Sequence, residues 1–241
     1  MTMFTGFTQD AQTFLWEIRL NNERSWFEAN KARYQTQVLQ PLRLLGEELY
    51  DYMAEQYPQL GLNLHVSRIY RDARRLHGRG PYKDHLWFTL RHENENWTSR
   101  PVFYFELMPE GISYGMGFYC AAPSLMERFR REAAEDPAPL SKLARKLNRQ
   151  DRFHLEGEEY ARKKPAPTPL LVPWISRKHI TICRDEEYSD RSAGRELVED
   201  LKTGYQFLMP YYQFFARLCQ EEFHNSQICD ISPAPFGYNA P

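Results

Sequence analysis

A chain of 241 residues that is 42% hydrophobic, 15% aromatic and 26% charged carries enough apolar surface to bury a core, which excludes a disordered charged tail. A formal net charge of −1 and a pI near 6.7 exclude a global pull toward nucleic acid or anionic membranes, so such a partner would have to be caught by a local patch. Apolar runs fall far short of the roughly 20 residues of a membrane helix, and the opening MTMFTGFTQDAQTF lacks the basic flank and apolar stretch of a secretory leader; a soluble cytoplasmic protein is expected.

The elements are predicted in chain order as one domain. Thr8 caps a first helix in which Ala11, Phe14, Leu15 and Ile18 share a face, and Asn21-Asn22 ends it. Ser25-Trp-Phe-Glu28 has the spacing of a capping box and predicts a second helix. Pro41 should break or kink that helix before Leu42, Leu45, Leu49 and Met53 resume the apolar stripe, and the helical N-terminal region, residues 1–58, closes at Tyr57-Pro58. From residue 64 to 118 the β-branched and aromatic runs LHVSRIYR, LWFTLR, VFYFELM and ISYGMGF read as four strands of an antiparallel, curved sheet. Gly115 and Gly117 share one face of the last of these and mark a close backbone approach.

Pro123 opens a helix through Leu125, Met126 and Phe129, and Leu140, Leu143, Ala144 and Leu147 line another. KKPAPTPLLVPW, from Lys163 to Trp174, is too rich in proline for helix or central strand and is expected to cross the surface extended. His179–Cys183 alternates as one more strand. A long helix over about Arg195–Glu222 buries Leu197, Leu201, Tyr205 and Leu208 and kinks before Pro210, and the tail from Asn225 is loosely held. The fold expected is α+β: a mostly antiparallel sheet packed by N-terminal helices and a long C-terminal helix.

Positive charge is concentrated in RIYRDARRLHGRGPYKDH, residues 68–85, where Arg68, Arg71, Arg74, Arg75, Arg79 and Lys83 face only Asp72 and Asp84. The planar guanidinium fork suits carboxylate or phosphate, so a small anionic ligand is expected here. Arg71, Arg74 and Lys83 would hold the anion, Tyr82 would donate a hydrogen bond, Asp72 would orient the arginines or act as base, and Asn22 would fix the far end. Arg68 joins the set on residue type, although period-two alternation sends Arg68 and Arg71 to opposite faces of a regular strand. Two alternatives stay open: a nucleic-acid or protein interaction face built from the same basic residues and the aromatic Tyr70, Tyr82, Trp87 and Phe88, or arginines that pair with Glu17, Glu23, Glu28 or Glu106 and hold helices to the sheet.

Other chemistries lack their patterns. His65, His77, His85 and His92 show no H-x-x-x-H pair, so no metal is expected among them. Cys120, Cys183, Cys219 and Cys229 form no CxxC and read as reduced thiols. No G-x-S-x-G or P-loop motif is present, so neither reaction nor cofactor is legible.

F-x-G-F near the start, NNxxxWF at Asn21–Phe27, Tyr34 and Pro41, RxYRDxR at Arg68–Arg74 and PYKxH at Pro81–His85 together resemble the DUF2461 family of uncharacterised proteins. The resemblance continues through Gly115, Gly117, Pro123 and Leu170–Lys178. It departs where that family usually has RDxRF followed by Ser-Lys-Asp-Lys, since Arg75 stands in place of Phe and Leu-His-Gly-Arg follows, and again at Pro165-Ala166. The resemblance implies a shared α+β fold and no established reaction.

Overall fold

A computed structural model of the chain describes residues 3–72, 74, 80–93 and 97–220. Arg75, His77, Arg79, Glu222, the tail from Asn225 and Cys229 lie outside the described residues. Six strands, β1 (Asn63–Val66), β2 (Leu86–Arg91), β3 (Pro101–Leu107), β4 (Gly111–Phe118), β5 (His154–Glu156) and β6 (Thr181–Glu187), form one antiparallel sheet in the order β1-β2-β3-β4-β6-β5, and it does not close. Helices α1 (Gln9–Leu20), α2 (Arg24–Arg33) and α3 (Gln40–Gln56) precede the sheet. Helices α4 (Pro123–Glu135), α5 (Ala138–Asn148), α6 (Val172–Ile175), α7 (Asp190–Ala193) and α8 (Leu197–Gln220) follow β4 in the chain, interleaved with β5 and β6. The protein is therefore α+β, as expected. Its residues group into two compact units: the first holds the chain up to His92 with Tyr104–Tyr114 and Asp185–Gly204, the second holds Glu93–Phe103, Gly115–Arg184 and the chain from Tyr205.

In the first unit, Thr8 accepts the Ala11 N–H at 3.3 Å and starts α1, while the Asn21 N–H and side chain both donate to the Glu17 carbonyl and stop it. The predicted capping box at Ser25 is not formed. Helical bonding begins two residues earlier, with Phe27 N–H donating to Glu23 O at 3.0 Å, so Glu23 takes the cap position and Ser25 falls inside the first turn. Pro41 does not break the helix either. Tyr34–Leu39 widens into a π-turn in which the Gln40 N–H reaches back to Gln35 O, and this moves the carbonyl that the proline ring would otherwise strike.

Phe14, Leu15 and Ile18 of α1 and Leu42, Leu45, Leu49 and Met53 of α3 are buried, each contributing about 1.5–3 kcal/mol of apolar transfer free energy. Gly46 lets α3 approach Leu64 and Phe88, where an added Cβ would lie 2.9 Å from a Leu64 methyl. Phe88 stacks on Phe105 and Phe105 on Phe7. Alternation therefore gives even positions of β2 and odd positions of β3 to this core, and sends Trp87, Thr89, Tyr104 and Glu106 to the other face.

In the second unit, Phe103 packs on Tyr205 and Tyr212, and Phe118 on Phe215, so β3 and β4 meet the aromatic side of α8. Gly115 and Gly117 do mark a close approach: a Cβ at Gly115 would meet Ile182 O at 2.2 Å, and one at Gly117 would meet Thr181 Oγ1 at 2.7 Å. The extended reading of the proline-rich segment is corrected over its second half. Pro169 and Pro173 sit at the starts of a 3₁₀ turn (Pro169–Leu171) and of α6, positions where the missing N–H costs nothing, and burial of Leu171, Trp174 and Ile175 fixes both turns.

Candidate functional site

Residues 68–85 leave β1 and return as β2, and the base of this excursion is a short irregular ladder. Arg71 N–H donates to Pro81 O at 2.8 Å, Lys83 N–H to Ile69 O at 2.7 Å, and Tyr70 bridges Tyr82. Asn22 clamps it from the α1–α2 turn: its amide donates to Tyr82 O and its carbonyl oxygen accepts the Tyr82 N–H, both at 2.9 Å. Gly80 is required beneath that clamp, because a Cβ there would lie 2.2 Å from Asn22 Oδ1. The Tyr82 ring is buried and stacks on Phe27 at 4.3 Å.

These contacts divide the predicted set. Asn22 and Tyr82 meet through the Asn22 side chain and the Tyr82 backbone. Arg71 donates from Nε to Tyr82 O at 2.8 Å and lies 3.5 Å from Asp84, so its fork is turned inward. Arg74 is 86% exposed and pairs with Asp72 at 2.8 Å. Arg68 is exposed, and its carbonyl accepts from Lys83 Nζ at 2.6 Å.

Around Lys83 the structure assembles groups that the sequence left scattered, all in the first unit. Asp84 accepts from Arg19 Nε at 2.5 Å and from His85 Nδ1 at 3.0 Å. Burial alone would raise the Asp84 carboxyl, but the hydrogen bonds from His85 and Arg19 outweigh it and hold the group well below the usual carboxylate range. An ionised carboxylate cannot donate, so His85 must carry its proton on Nδ1, which presents Nε2 to Glu106 Oε1 at 3.8 Å. Glu106, on β3, is 2% exposed and its Oε2 has no hydrogen-bond partner among the described residues. Burial and the negative charges of Asp185 and Asp84 push its pKa up to about 8, with Lys83 opposing. Burial and repulsion from Arg71 and Arg68 bring the Lys83 amine down to about 8. A carboxyl that keeps its proton thus stands beside an oriented imidazole, and an amine close to losing one lies near enough to the carboxyl to feel its charge.

Sequence reasoning missed Glu106 as a site residue and weighed His85 only as a metal ligand. The available signal was that Glu106 is the one acid in the otherwise apolar run VFYFELM. No curated protein matches the chain. A family model described as "Conserved hypothetical protein (DUF2461)" matches residues 10–214, and the chain belongs to that family.

Proposed function

We propose that the Lys83, His85 and Glu106 cluster binds a small anionic molecule, a phosphorylated or carboxylated compound, and exchanges a proton with it. The observation that carries this is Glu106 Oε2, a buried carboxyl oxygen without a partner among the described residues, whose burial would cost about 1–3 kcal/mol if nothing ever used it. Lys83 supplies the compact cation and Arg68 the nearby positive field. Glu106 acts as the acid, and His85, held by Asp84, relays the proton. Arg71 and Asn22 serve by fixing the base of the 68–85 excursion, and Arg74 is engaged by Asp72.

A thermal-shift screen against phosphorylated metabolites, dicarboxylates and short oligonucleotides, run on wild type, Lys83→Met and Arg74→Ala, tests this. A ligand at a hundred times its Kd adds about 2.7 kcal/mol, a rise of several degrees. The expected result is that one small anion shifts wild type and Arg74→Ala and leaves Lys83→Met unmoved. A shift that survives Lys83→Met overturns the proposal. A shift by oligonucleotides alone, falling steeply with salt, replaces it with the interaction-face reading.

A further inference from the structure

We propose that His154, Glu156 and Cys183, in the second unit, form a binding site for a zinc-like divalent cation on the paired strands β5 and β6 at the sheet edge. Pairing register places His154 directly opposite Cys183, so their side chains share a face, and Glu156, two residues along β5, lies on that same face. Cys183 Sγ is 3.4 Å from His154 Nε2, and Glu156 Oε1 is 3.3 Å from the same nitrogen. Ligand bonds of about 2.0–2.3 Å in tetrahedral geometry leave donor atoms about 3.3–3.8 Å apart, a spacing that both distances from the imidazole nitrogen match.

A hydrogen bond between thiol and imidazole accounts for the first distance alone. The imidazole nitrogen faces the thiol and the carboxylate at nearly equal range, and a cation among the three donor atoms could bond to each of them. The donor set of imidazole, thiolate and carboxylate suits Zn²⁺ better than Mg²⁺ or Ca²⁺. Access is from the side of His154 and Glu156, whose side chains are 49% and 35% exposed, while Cys183 is buried beneath them. On binding, the Cys183 S–H bond breaks, its proton passes to solvent and the sulfur lone pair forms the metal bond. The strand pair is held by neighbouring contacts: Gly157 at φ +125° turns the chain where a Cβ would meet His179 O at 2.1 Å, and Arg177 donates to Leu155 O at 3.1 Å.

The test is titration of the reduced, chelator-treated full chain with Co(II), then displacement by Zn(II). The expected result is a thiolate-to-Co(II) charge-transfer absorption that saturates at one equivalent and is abolished by Zn(II). Cys183→Ser should lose that absorption. His154→Gln, at a half-exposed edge position where folding is undisturbed, should weaken Co(II) binding about tenfold or more with an unchanged Tm. Absence of the absorption in wild type overturns the site, as does its persistence in Cys183→Ser, which would assign it to another thiol. Equal Co(II) affinity in wild type and His154→Gln overturns it as well.

Discussion

Glu106 keeps its proton at neutral pH because burial and the charges of Asp185 and Asp84 act in one direction, and this gives stability a definite pH dependence. Its carboxyl titrates at 4.5 in the unfolded chain and at about 8 in the folded one, so across that window the folded state holds a proton the unfolded state has released, and stability falls as pH rises. Lys83 acts oppositely: its amine is lowered from 10.5 to about 8, so its contribution grows as pH rises between those values. Glu106→Gln keeps the neutral shape and removes the first slope. The Tm of this variant relative to wild type should climb from pH 5 to pH 8; a constant gap would mean that Glu106 ionises normally. The clamp by Asn22 belongs to the same scale. Its residue type and place at a helix end were legible, but that its amide is used on the backbone of Tyr82, 60 positions away, was not, because a single asparagine carries no mark of its distant partner. Glu106 was visible as an acid in an apolar strand, and only the fold shows that protein rather than water meets it.

At the scale of elements, period and capping chemistry carried most of the fold: Thr8 and Asn21 bound α1, and the glycine pair marked where β4 runs close beside β6. The failures share a cause. Ser25 and Pro41 were judged by local rules, whereas a turn at Asn21–Glu23 and a π-turn at Tyr34–Leu39 changed the register in which those rules apply. The juxtaposition of His154 with Cys183 likewise needs the β5–β6 register, which no spacing in the sequence encodes. Gly115→Ala tests the glycine reading. Its methyl would sit 2.2 Å from a backbone carbonyl that cannot swing aside, so a loss of about 3 kcal/mol is expected in denaturant melts. A loss below about 1 kcal/mol, the cost of a tolerated core change, would show that β4 and β6 can separate.

At the scale of the whole molecule, several of the described arginines are answered by nearby acids. Arg19 pairs with Asp84 and Glu110, Arg33 with Asp10 and Glu17, and Arg74 with Asp72, in a chain of net charge −1. The protein should pass unretained through a heparin column at neutral pH and about 150 mM salt. Retention that is lost in Arg68→Ala would instead assign the exposed basic residues to a polyanion. No helix among the described residues is long and apolar enough to cross a membrane. The sheet that carries both sites is open, and it ends in the four-residue β1 on one side and the three-residue β5 on the other. A long, flat border of unpaired backbone amides invites the strands of another copy to add on, the route to fibrils and inclusion bodies. Terminal strands this short, one of them carrying His154 and Glu156, offer an incoming chain little to template on, so concentrated solutions of the folded protein should resist edge-to-edge growth.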